Sequence, residues 1–290
     1  MPMLPSTKAR KRLFFFTKRK YILSPAAKYI IYNTKKVLQF LSVYSIILLV
    51  EKRKEIVEMN ILIVDTETAN GLEAPMPYDL GYCIIDENFN VLVERSFVIS
   101  EIFFDHEMMA SAFYAEKMPQ YWQDIKDKKR KIVRACTARR IVWEDMKKYN
   151  VKEVGAYNMS FDRRAIKNDI RFITGSSLRW FFPYDTKYFC IWNMACTSIL
   201  QTPDYINFCL KNELLSAKGN ILTSAEAVHR YLTDNMEFSE SHTGLEDVMI
   251  EKEIFRAVIE SGMEYEKEVK GAPWMKVKKY YKLYLEERGE

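Results

Sequence analysis

The apolar positions change period along the chain. After Met59-Asn60 the run Ile61-Leu62-Ile63-Val64 is continuous and ends in Asp65-Thr66-Glu67-Thr68. This predicts a buried β-strand over Ile61–Asp65 that delivers two carboxylates at its end. Further strands are predicted near Leu80–Asp86 and Val91–Ile99, and the Asp/Asn-rich Asp86-Glu87-Asn88-Phe89-Asn90 suits the turn of a hairpin between them. A long helical stretch is expected from about His106 to Tyr149, then a short strand near Val154–Asn158 that turns into a helix with Ser160 as its N-cap. The remainder reads mostly as helices, one over Ser224–Leu232 and one begun near Thr243. In the latter, Leu245, Val248, Met249, Ile254, Phe255 and Val258 recur at near-helical spacing. The order implies an α/β protein with a mixed β-sheet flanked by α-helices.

Composition changes this picture little. With 290 residues, 48% of them hydrophobic, there is material for one sizeable core. Gly and Pro, at 9 each, are too few for a long flexible linker, and no internal repeat is visible. The five cysteines, Cys83, Cys136, Cys190, Cys196 and Cys209, form no metal-binding spacing. Each is read as a small buried hydrophobe in a reducing cytoplasm.

Charge alters more. The net +5 is uneven: residues 1–58 carry 13 Lys+Arg against 3 Asp+Glu, leaving 31 against 36 in the rest. The body is slightly acidic, so any nucleic-acid contact must come from local patches. Within 1–58, the apolar run Val37–Val50 is shorter than the roughly 20 residues a membrane crossing needs. No small-residue cleavage site follows it, which speaks against a secretory signal. Two readings remain: an interfacial anchor on an anionic membrane surface, or translated sequence upstream of a true start at Met59. The second is preferred, and a membrane partner is not expected. The expected organisation is a basic and apolar extension over 1–58, one domain over 59–262 with a helical insertion near 106–149, and a basic-aromatic tail over 263–290.

Three segments carry the chemistry. The period of two places Asp65 and Glu67 on one face of the first strand. Adjacent carboxylates repel unless a divalent cation lies between them, although a solvated strand end fits Asp-x-Glu equally well. In Asn158-Met159-Ser160-Phe161-Asp162, Asp162 falls in the first turn of a helix, where the helix dipole favours negative charge. In His242-Thr243-Gly244-Leu245-Glu246-Asp247, Asp247 lies on the first turns of the late helix, with His242 in the loop ahead.

Together, Asp-x-Glu on the first strand, Asn-x-x-Phe-Asp at a strand-to-helix turn and His-x-x-x-x-Asp opening a late helix resemble the DEDDh branch of the DnaQ-like 3′–5′ exonucleases. That family includes the proofreading subunit of DNA polymerase III, ribonuclease T and oligoribonuclease. The resemblance spans Met59 to about Gly262 and implies a ribonuclease-H-like fold and two Mg²⁺ or Mn²⁺ ions. It assigns Asp65, Glu67, Asp162 and Asp247 as metal ligands and His242 as general base. Asn158 would support the turn, Phe161 would mainly pack, and Thr68 would touch the terminal nucleotide. The implied partner is the 3′ end of single-stranded DNA or RNA, with DNA weakly preferred. A stand-alone enzyme and a member of a polymerase or RNA-processing complex are equally compatible. The alternative is a non-catalytic nucleic-acid-binding protein on the same fold. Oligomeric state is not legible.

Tyr121 and Trp122 beside Lys126, Lys128, Lys129, Arg130 and Lys131 could form a stacking platform for bases, but a solvated helix face with core aromatics is preferred. The aromatic stretch Gly175–Leu215, with Trp180, Tyr188 and Trp192 among its rings, could help shape a base-binding cleft, but core packing is preferred. His106 is placed in a loop and His229 on its helix, neither with a role.

Overall fold

The computed structural model describes residues 60–288, so the two readings of residues 1–58 and of a start at Met59 lie outside the described residues. Six strands, β1 (Ile61–Ala69), β2 (Met76–Ile85), β3 (Val91–Ile99), β4 (Lys131–Val133), β5 (Glu153–Ala156) and β6 (Lys187–Cys190), form one sheet in the order β4-β3-β2-β1-β5-β6. β1–β2 and β2–β3 pair antiparallel, whereas β1–β5, β5–β6 and β3–β4 pair parallel. This is the mixed, ribonuclease-H-like sheet that was expected. The helices that matter below are α1 (Ser100–Phe103), α2 (His106–Met109), α3 (Met118–Lys126), α4 (Ala135–Lys148), α5 (Met159–Thr174), α6 (Ile191–Cys196), α7 (Pro203–Lys211), α8 (Ala225–Thr233), α9 (Gly244–Glu260) and α10 (Trp274–Arg288).

Both faces of the sheet are covered, which explains the unbroken apolar run of β1. Leu62 and Val64 enter a core with Tyr82, Ile84, Val142 of α4 and Ile166 of α5. Ile61 and Ile63 point the other way, into a core with Cys83, Ile85, Ile254 and Phe255 of α9. The same parity places Asp65 and Glu67 toward α9, and Thr66 toward α5.

Helix α9 sits very close to the sheet. A Cβ on Gly81 would lie 2.2 Å from the Gly244 carbonyl carbon and from the Leu245 nitrogen, so only glycine lets the helix start pass over β2. Gly81→Ala should therefore lift the start of α9 and cost about 1–3 kcal/mol, as overpacking does. Urea unfolding checks this, and wild-type stability would contradict the close-approach role.

Several expectations need correction. The stretch 106–149 is interrupted by β4, because a three-residue edge strand is too short to carry a period. His106 opens the short helix α2, capped by Asp105, rather than lying in a loop. The residue before α5 is Asn158, so Ser160 lies inside the first turn instead of capping it. β6 was not foreseen, since its edge position leaves only Phe189 and Cys190 buried. Four cysteines are buried, but Cys136 is exposed on α4. Of the aromatic pair on α3, Tyr121 is core and Trp122 is half exposed. Helix α8 begins one residue past Ser224, whose hydroxyl accepts the Ala227 N–H as its cap. Among the described residues, no helix is long and apolar enough to cross a membrane.

Candidate active site

The three acidic segments meet because three elements converge at one place. The register of β1 shifts at a bulge between Glu67 and Thr68, α5 begins just after β5 stops, and α9 begins over β1 and β2. Asp65, Glu67, Asp162, Asp247 and His242 all line one cavity of about 670 Å³, together with Asn158 and Phe161. Thr68 is not among the lining residues, and its carbonyl accepts the Phe113 N–H at 3.5 Å. Phe161 is half-buried and faces the cavity rather than the core.

Two of the carboxylates, Asp162 and Asp247, are held by defined donors. The Thr66 hydroxyl donates to Asp162 Oδ1 at 2.8 Å. The Thr243 N–H donates to Asp247 Oδ2 at 3.1 Å, and the Ser241 hydroxyl donates to Oδ1 at 3.3 Å. Glu67, His242 and Asp247 each present a ligand atom within 4.8 Å of the others. His242 has a left-handed backbone, φ 52°, which is unfavourable for a non-glycine residue and typical of functional sites. Its ring stacks on Tyr114 at 4.1 Å between centroids, and its Nδ1 lies 4.0 Å from Glu240 Oε2.

Behind the site, a buried ionic network fixes the start of α9. Asp79 on β2 accepts the Gly244 N–H at 2.9 Å, the Tyr121 hydroxyl at 2.6 Å and Arg130 Nη1 at 3.1 Å. Arg130 also donates to Asp124, Ser96 and Glu246, and so ties α3, β3 and α9 together. Asp247 lies one residue after Glu246, so its position depends on this network.

Electrostatically the cavity is strained. Burial, then repulsion from Asp162, Glu251, Glu67 and Asp247, holds Asp65 well above the ordinary carboxylate range. Burial and the nearby Asp247 and Asp79 push Glu67 up to about 9. Burial raises Asp162 and Asp247 to about 7, against the hydrogen bonds that hold them. Burial, followed by Lys117, lowers His242, which keeps the imidazole neutral near pH 7.

Among the described residues, six carboxylates line this cavity, whereas its one basic side chain besides His242 is the exposed Lys218. An oxygen-rich donor set with one imidazole and little internal compensation fits hard divalent cations such as Mg²⁺ or Mn²⁺.

A pH dependence follows. A carboxylate whose folded pKa is raised keeps protons that the unfolded chain has lost. Its destabilising effect therefore grows as pH rises from the ordinary carboxylate range to the folded value. Without divalent cations, the melting temperature should fall between pH 5 and about 9, the window set by Asp162, Asp247 and Glu67. Mg²⁺ should flatten that slope. Calorimetry in EDTA and in Mg²⁺ checks this, and superimposable pH profiles would contradict it.

Sequence reasoning missed several parts of the site. Thr66 is a lone hydroxyl between two acids, and Tyr114 and Glu240 have no motif around them. One wall is the segment 220–225, which bridges from Ile221 back to Leu215 and is held at Thr223 by the Tyr157 hydroxyl on its carbonyl at 2.6 Å and the Trp192 indole on its hydroxyl at 3.0 Å. Trp274 of the expected tail also reaches the cavity. Only Glu251 left a signal, as an acid on the apolar stripe of α9.

No family model matches the chain, and no curated protein matches it. Among solved structures it is similar to E. coli exonuclease I in complex with a dA16 oligonucleotide, with TM-score 0.47 and 13% identity over 78% of this chain and 43% of that chain. For the complex with a dT13 oligonucleotide the values are 0.46, 15%, 69% and 41%. For a product-bound structure of exonuclease I they are 0.46, 14%, 70% and 43%. The chain thus spans well under half the length of these structures.

Proposed function

We propose that this protein is a metal-dependent 3′–5′ exonuclease of the DnaQ-like superfamily, DEDDh branch, acting on single-stranded 3′ ends, with DNA weakly preferred over RNA. The observation that carries this reading is the convergence of Asp65, Glu67, Asp162, His242 and Asp247 on one cavity. Divalent cations bound by the four acids would supply Lewis-acid activation of water and stabilisation of the leaving oxygen. The chain's own residues do the rest. Thr66 fixes Asp162, while Thr243 and Ser241 fix Asp247, so the acids keep their positions despite mutual repulsion. Neutral His242, with Nδ1 turned toward Glu240, uses Nε2 to take the proton from the attacking water. The water oxygen bonds to phosphorus as the bond to the 3′ oxygen breaks, and that oxygen takes a proton from solvent. The product is a nucleoside 5′-monophosphate. The aromatic walls, Tyr114, Phe161, Trp192 and Trp274, suit stacking with unpaired bases.

The test is incubation of the full chain with 5′-labelled single-stranded DNA and RNA in Mn²⁺. A ladder shortening from the 3′ end, stronger on DNA, is expected. Binding without cleavage by a folded, metal-loaded protein would favour the non-catalytic alternative.

A further inference from the structure

Glu251 lies one helical turn past Asp247 on α9, on the same face. That face is otherwise core: Val248, Ile254, Phe255 and Val258 are buried around it. Glu251 is itself only 4% exposed, and it lines the cavity. One of its oxygens, Oε2, has no hydrogen-bond partner among the described residues. An unserved buried oxygen is destabilising, and an apolar side chain would avoid that cost. The penalty is removed if the oxygen faces a cation or its water. The charge of Glu251 repels those of Asp65 and Asp162, which line the same cavity.

We infer that Glu251 is a further acidic positioning residue of the cation site, holding a cation-bound water on the Asp65 and Asp162 side. The role is outer-sphere because Asp65, Glu67, Asp162 and Asp247 are the proposed direct ligands and Glu251 stands outside that set. Partners of this kind orient ligands and add charge without touching the ion. The inference rests on the cation-dependent reading of the cavity, and the experiment separates the two.

The experiment is calorimetric titration of the full chain with Mn²⁺, comparing wild type, Glu251→Gln, Glu251→Asp and Asp65→Asn, with circular dichroism of each. Glu251→Gln keeps the shape and loses the charge, so it should bind Mn²⁺ about 10–100-fold more weakly while melting no lower in EDTA. Glu251→Asp, which keeps the charge, should retain more of the affinity than Glu251→Gln. Wild-type Mn²⁺ affinity in Glu251→Gln would overturn the inference, and so would its failure to fold, which would make the carboxylate a packing element. If wild type bound no Mn²⁺, the cation-dependent reading would fall with it. If Asp65→Asn lost affinity and Glu251→Gln did not, only the inference would fall.

Discussion

Asp65→Asn is expected to lower the proposed 3′–5′ hydrolysis by at least about 10³-fold while raising the melting temperature of the cation-free protein. The two effects have one cause. Asp65 is crowded by Asp162, Glu251, Glu67 and Asp247, and its charge is disfavoured by burial. In the absence of cation that crowding opposes folding, and a neutral amide of the same shape relieves it. In the presence of cation the same charge supplies binding energy. Losing it removes several kcal/mol of transition-state stabilisation, and each 1.36 kcal/mol is about tenfold in rate. An active site that is destabilising until loaded is the ordinary form of a stability–activity trade-off. The measurements are single-turnover cleavage in Mn²⁺ and thermal unfolding in EDTA. A variant that lost activity and also melted lower would show that Asp65 serves the fold, and that the cluster is not strained as described.

Arg130→Met should destabilise the protein by about 3–5 kcal/mol. Removing one partner of a buried ion pair leaves the other charge uncompensated, which costs more than the pair ever contributed. Here the abandoned partner is Asp79, which has no exposed surface, and Arg130 itself is only 3% exposed. Arg130→Lys should rescue little, since one ammonium cannot replace a planar fork shared among Asp79, Asp124, Ser96 and Glu246. Activity should fall with stability, because Asp79 and Glu246 hold the first turn of α9 and Asp247 sits on that turn. The double variant Asp79→Asn/Arg130→Met should recover part of the loss. Urea unfolding of wild type, Asp79→Asn, Arg130→Met and the double variant forms the cycle. A cost below about 1 kcal/mol for Arg130→Met would contradict a structural role for the network.

Much of the sheet was legible in the chain. The apolar run of β1, the hairpin between β2 and β3, and the helix after Thr243 follow from local period and turn chemistry, which neighbouring residues decide among themselves. Parity along β1 also placed Asp65 and Glu67 on one face. Short edge strands escaped, because three or four residues carry no period and their pairing is settled by what lies beside them. Ser160 has the residue type of a cap, yet the helix begins earlier, with Asn158 as the residue before it.

The sequence by itself determined which residue types could perform the proposed chemistry, because Asp65, Glu67, Asp162, His242 and Asp247 sit in motifs whose spacing is local. Tertiary structure alone decided that they face one cavity. It alone showed that Arg130, in a run of charges that read as a solvated helix face, is buried among Asp79, Asp124 and Glu246. It alone turned Glu251 inward and stacked Tyr114 on His242. The physical reason is range. Helix and strand preferences act over a few residues, whereas burial and the pairing of charges depend on which distant segments the closed sheet brings together.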